Sequence, residues 1–162
     1  MAYEGEVRGV GGWLVFFILV MAVISPLISS VQVYSELYGA AFAGFDDDPL
    51  LSTSRIFAWA LVAMTAIIGW FVAYRLISVH NWTSVKLAIA GIWIVGVGGM
   101  VAEYAGVMYI GGIPLDALLA ETGPRGVIQP FIFGLIWTSY LLKSERVANT
   151  YRGAADQAEI FE

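Results

Sequence analysis

The residue with the strongest claim to chemistry is Glu103, in the stretch GGMVAEYAGVMYIGG at positions 98–112. It stands inside an apolar run that begins near Val85. Hydrocarbon solvates a carboxylate poorly, so an acid below a membrane surface must face a partner or a ligand. If the run enters lipid near Leu87 and leaves near Tyr109, Glu103 lies roughly 9 Å below the outer surface, at about 1.5 Å per residue. Three further charges are available at that level. Glu36 closes the first apolar run, and Arg55 and Arg125 open the second and fourth. Both arginines are expected at helix N-termini, where the macrodipole disfavours a cation and an acidic neighbour offsets the cost. Glu36, Arg55, Glu103 and Arg125 are therefore expected to form one polar cluster that joins four helices. Such a cluster either clamps helix register or holds a ligand, ion or proton.

A second group sits in KSERVANTYRG at 143–153. Lys143, Arg146, Asn149, Tyr151 and Arg152 follow the last apolar run directly. Basic groups there attract anionic lipid at very roughly 1 kcal/mol each. The same side chains can instead dock a protein partner, or fold back on the turn HNWTS at 80–84.

Other chemistries lack their residues. The chain has no cysteine, which removes thiol catalysis and disulfides. Ser25 and Ser29 have no base nearby in sequence, so no catalytic residue is assigned. Asp46, Asp47 and Asp48 lack the alternate spacing and distal Glu of a calcium loop, and no set of acids and His has the spacing of a metal site. His80 is the only histidine, one too few for a bis-histidine haem, and no cofactor is expected. A net charge of −5 argues against a nucleic-acid partner, which selects a basic face.

The elements that must position these residues follow from composition. Apolar residues make up 59% of the 162 and charged ones 13%, against about 45–50% and about 25% in soluble domains. Four nearly uncharged runs, at about 13–35, 55–79, 85–109 and 125–143, can each form a membrane helix, which needs roughly 20 residues. They show no period-two alternation, which excludes a barrel. The fourth is shortest and must draw Arg125 and Lys143 to the interfaces. Six of the eight basic residues flank one side: Arg8, Arg75, Lys86, Lys143, Arg146 and Arg152. The positive-inside rule then places both termini in the cytoplasm. The expected fold is all-α: an integral membrane four-helix bundle in one domain over 1–152, with a short polar cytoplasmic tail at 153–162.

Local signals refine this. Ser25-Pro26 should kink the first helix. Ser25 and Ser29, and the glycines of the third run, suit close helix packing in lipid. Thr83 or Ser84 can cap the third helix. PLDALLAE at 114–121 can form a short interfacial helix that lays Leu115, Leu118 and Leu119 on lipid. Trp13, Trp59, Trp82, Trp93 and Trp137 mostly fall near run ends as an aromatic belt would, while Trp70 and Trp93 lie deeper, where core packing is expected ahead of a stacked-ligand pocket. Glu4 and Glu6, with the long run after them, do not fit a cleaved signal.

The two ends of the chain are its most distinctive parts: RGVGGWL at 8–14, and IWTSYLLKSERVANTYRG at 136–153. Together, and in order, they resemble the domain-of-unknown-function 2569 family of small bacterial inner-membrane proteins, from about Arg8 to Tyr151. Ser139 stands where the family often has Pro, a departure that bears on the geometry of the fourth helix. The resemblance implies a four-helix inner-membrane protein and no particular activity. The expected role is a non-enzymatic interaction or accessory protein of the bacterial inner membrane. Its expected partners are the lipid bilayer and either another membrane protein or further copies of itself. A small transporter or channel using the Glu/Arg cluster is the competing class, and an intramembrane enzyme acting on lipid has least support.

Overall fold

The computed structural model describes residues 8–39, 44 and 47–152. Glu4, Glu6, Asp46 and the 153–162 tail lie outside the described residues. All regular structure among the described residues is helical. Helix α1 runs over Trp13–Leu37, α2 over Pro49–Ser78 and α3 over Trp82–Gly111. Helix α4 spans Leu115–Lys143, and a short α5 spans Glu145–Tyr151. Helices α1, α2 and α3 are long and apolar enough to cross a membrane. In their most apolar windows only 22%, 28% and 22% of residues are buried within the protein. Val31, Ile56, Ile67 and Leu135 all face outward. That is far more apolar surface than a monomer in water presents, and it is what a membrane protein offers to lipid.

Helix ends follow capping chemistry that the apolar runs do not report. Helix α2 starts at Pro49, well before Arg55. The Asp48 carboxylate accepts from the backbone N–H groups of Leu50 (2.7 Å) and Leu51 (3.4 Å), and Pro49 occupies the first helical turn, where its missing N–H costs nothing. One member of the aspartate triplet is thus a cap. Arg55 therefore lies inside α2, and the macrodipole argument for an acidic neighbour does not apply to it. It does apply to Arg125. Helix α4 breaks at Gly123 (φ 66°, ψ 175°), and Pro124 and Arg125 open the segment after the break. The segment before it is the expected short helix, with Leu115 and Leu119 exposed but Leu118 buried. The cap of α3 is Asn81, not Thr83 or Ser84. Its side chain accepts from the Ser84 N–H at 3.0 Å, and the buried Ser84 hydroxyl donates to the Val79 carbonyl at 2.7 Å.

Pro26 is accommodated by a change of helix type. Val20–Ile24 form a π-helical turn, in which the Ser25 N–H reaches the Val20 carbonyl. Pro26 supplies no N–H to the Met21–Ala22 turn behind it. Both of these carbonyls meet α2. The Trp70 indole N–H donates to the Ala22 carbonyl at 2.8 Å. Gly69 lets the α1 backbone approach so closely that a Cβ there would overlap the Met21 carbonyl. Lipid offers no donor to an orphaned carbonyl, so Trp70 and Gly69 hold α1 and α2 together at this level. A second π-helical turn interrupts α3 at Ile94–Gly98.

Helix α1 packs on α2, α2 on α3 and α3 on α4, and α5 folds against α3 and α4. At the end bearing both described termini the bundle is closed. Leu14, Phe17, Leu76, Leu141, Val147 and Tyr151 are withdrawn from the surface there. Trp137 belongs to this core and not to an aromatic belt. It is buried, with its ring 4.9 Å from that of Phe17, which joins α4 to α1. Trp93 also turns inward, donating to the Thr138 hydroxyl at 3.1 Å.

Replacing Trp70 by Phe keeps an aromatic ring and removes the donor to Ala22. The expected loss is about 1–2 kcal/mol, read as a lower unfolding temperature in detergent micelles. Gly69→Ala must push α1 off α2 and should cost at least as much. Unchanged melting of both variants would show that this contact does not hold the helices.

Candidate functional site

Beyond the closed end, α1 and α4 face each other across a cavity of about 790 Å³. Met21 and Ile92 belong both to the core and to the cavity wall, so the packed end forms its floor. Four polar residues of α1 line it: Ser25, Ser29, Gln32 and Glu36. Their spacing of four, three and four residues puts them on one helix face. Across from them α3 contributes Glu103 and Tyr104, and α4 contributes Thr122 and Gln129. Small residues make the space. Gly96, Gly99 and Gly106 of α3 lie on the lining, and a Cβ at Gly106 would overlap the Phe57 ring. Most remaining lining residues are apolar, as with Ile28, Leu61, Val107 and Phe133.

The two acids of the expected cluster both line this cavity. The two arginines are not among its described lining residues. Arg55 adjoins it: its Nε donates to the carbonyl of Leu37, a lining residue, at 3.1 Å, and its guanidinium lies 4.2 Å from the Tyr38 ring centre. Arg125 is exposed and precedes Gly126, also on the lining. The Tyr104 hydroxyl is withdrawn from the surface and has no hydrogen-bond partner among the described residues. The stripe from Ser25 to Glu36 was readable from its spacing. Ser25 and Ser29 also have the small-residue spacing of close helix packing, and only Gln32 and Glu36, at the end of the apolar run, extend the pair into a polar stripe.

At the closed end the second group of candidate residues makes contacts within the chain. The Tyr151 hydroxyl donates to the Leu76 carbonyl at 2.5 Å, and its ring stacks on His80 at 5.7 Å. The Arg152 guanidinium covers the Trp82 ring at 4.2 Å, a favourable cation–π placement. The C-terminal segment thus folds back on the HNWTS turn. It also reaches the N-terminus. The Gly9 N–H donates to the Thr150 hydroxyl at 2.9 Å, while that hydroxyl donates to the Arg146 carbonyl at 2.6 Å. Arg146 lies over Gly11, where a Cβ would stand 2.7 Å from its Nη1. Gly12 has φ 58°, a conformation that disfavours any side chain. The two distinctive ends of the sequence are therefore one clasp. Asn149 is half-buried within it, and Lys143 stays exposed.

A family model described as "Protein of unknown function (DUF2569)" matches residues 7–152, and the chain belongs to that family. No curated protein and no solved structure matches the chain significantly. The matched segment ends on the clasp at both sides.

Tyr151 ties the clasp to a pH dependence. Burial, with a smaller contribution from Tyr140, pushes its hydroxyl up to about 12 from 10. The folded state therefore holds the phenol proton more tightly than the unfolded state. Its contribution to stability is complete below pH 10 and is lost as pH rises toward 12. Tyr151→Phe should melt at a lower temperature at neutral pH, by about 1 kcal/mol of stability. The gap to the unaltered protein should narrow as pH rises through that window. A gap that stays constant to pH 12 would contradict this role.

Proposed function

We propose that this chain is a four-span protein of the bacterial cytoplasmic membrane, with both termini in the cytoplasm, that acts by binding and not by catalysis. In this reading α4 completes the set of spans. The closed end with its clasp faces the cytoplasm, and the cavity opens toward the outer leaflet. The distribution of basic residues supports that orientation, since Lys86, Lys143, Arg146 and Arg152 all gather at the closed end.

The observation that carries the binding role is the cavity between α1 and α4, amphipathic and ending on a packed core. Its volume of about 790 Å³ falls within the roughly 300–1,000 Å³ of small-molecule sites. The floor of tightly buried Phe17, Leu76 and Leu141 favours a seat for a bound molecule over a conducting path. Glu36 and Glu103 mark the polar part of the seat, and Arg55 and Arg125 stand at its mouth. At the other end, the clasp spends Tyr151 and Arg152 on internal contacts, which leaves exposed Lys143 for anionic lipid or an accessory partner.

The natural absence of cysteine makes the topology direct to test. Asp116→Cys, before the break in α4, should react in intact cells with a membrane-impermeant maleimide. Glu145→Cys, after α4, should react only once the membrane is opened. Equal labelling of both from outside would mean that α4 does not span, and the reverse pattern would invert the orientation.

A further inference from the structure

We infer that the cavity receives an amphiphile whose head group is a cationic amine. The inference rests on the proposed binding role and adds the class of molecule. The polar side chains form a stripe along α1 that ends at Glu36, with Glu103 across from it on α3. The only ionisable side chains able to carry full charge near neutrality on the described lining are these two carboxylates. Lysine, arginine and histidine do not occur among the described lining residues. An anionic head would meet like charge in a space of low dielectric, where repulsion is strong. An amine seated on this part of the lining meets opposite charge and can donate a charge-assisted hydrogen bond to a carboxylate.

The rest of the lining selects against a bare ion. A hard cation such as calcium or magnesium takes six or more oxygen ligands at close range, and would leave most of about 790 Å³ empty. Ile28, Leu61, Val107 and Phe133 instead form an apolar wall suited to an alkyl chain. Ser29 and Gln32 can satisfy ester or hydroxyl oxygens next to the head. Two sources share this chemistry: a phospholipid with an amine head group, and a free long-chain amine.

The experiment is native mass spectrometry of the purified protein with three probes. They are phosphatidylethanolamine, phosphatidylglycerol of the same chains, and dodecylamine. Binding of phosphatidylethanolamine in preference to phosphatidylglycerol, weakened about tenfold by Glu103→Gln or Glu36→Gln, supports the inference with lipid as the source. Binding of dodecylamine, with neither lipid retained, supports it with a free amine as the source. Equal retention of both lipids, unaffected by either variant, overturns the head-group inference and leaves the cavity reading standing. Ile28→Trp, which fills the cavity, separates the two levels. It should abolish retention of every probe, and full retention in that variant, or none in the unaltered protein, contradicts the cavity reading itself. Melting curves of the three variants, matched to the unaltered protein, exclude misfolding as the cause of a loss.

Discussion

A proline inside an apolar helix leaves carbonyls that lipid cannot satisfy, and the architecture is arranged around that constraint. Pro26 strips the donor from the turn at Met21–Ala22; the Trp70 indole of α2 supplies one to the Ala22 carbonyl, and Gly69 lets the Met21 carbonyl pack closely against α2. The contact lies where the molecule changes character. On one side the helices close over Phe17, Leu76, Trp137 and Leu141. On the other, α1 and α4 stand across a cavity. Outside water, helix association draws on van der Waals contact and on hydrogen bonds between helices. A hydrogen bond that satisfies an otherwise orphaned group is among the strongest available. The π-helical turn in α3, the Gly96 approach to Pro130 and the glycines above it fall at or beyond the same level. Irregular backbone and small residues thus coincide with the cavity.

The two ends of the bundle differ in chemistry. The closed end carries the clasp, in which N-terminal glycines, α5 and the α2–α3 turn are bound by side-chain to backbone hydrogen bonds and ring contacts. These bonds join residues 9–12 to α5, in which Tyr151 and Val147 are buried. The far end keeps polar groups within reach of one another without burying them in protein. Glu36 and Glu103 are both exposed on the cavity side of their helices. Acids in such surroundings are costly unless something compensates them. A bound cationic group is the compensation that accounts for their number, their position and the apolar wall beside them.

Much of the helix content was legible in the sequence, because uninterrupted apolar runs of this length have one structural solution in lipid. The ends of the helices were less so. The first turns of α2, in PLLSTSR, are not apolar, and only the Asp48–Pro49 capping pair betrays them. Trp137 and Leu118 show a second limit. An apolar run says that a helix is embedded, but in lipid both of its faces are apolar, so periodicity does not tell the inner face from the outer. The carboxylate Glu103 stood out as a charge against an apolar background, and Glu36 followed from its level. The expectation for the arginines rests also on their places at helix starts, and Arg55 lies inside α2 and not at its start. The pairing of RGVGGWL with SERVANTYR in one clasp lay beyond sequence reasoning, because nothing in either motif encodes contact over some 140 positions.

The most direct test is whether a ligand chain lies between α1 and α4 in a bilayer. Nuclear Overhauser contacts, recorded on methyl-labelled protein in phosphatidylethanolamine-containing nanodiscs, would answer it. The expected result is contact between acyl-chain protons and the methyl groups of Ile28, Leu61 and Val107 together, three residues on three different helices that all line the cavity. Direct contacts from the Ile28 methyls to the ring of Phe133, with no lipid contact at Leu61 or Val107, would mean that α1 and α4 close on each other and that the cavity holds nothing.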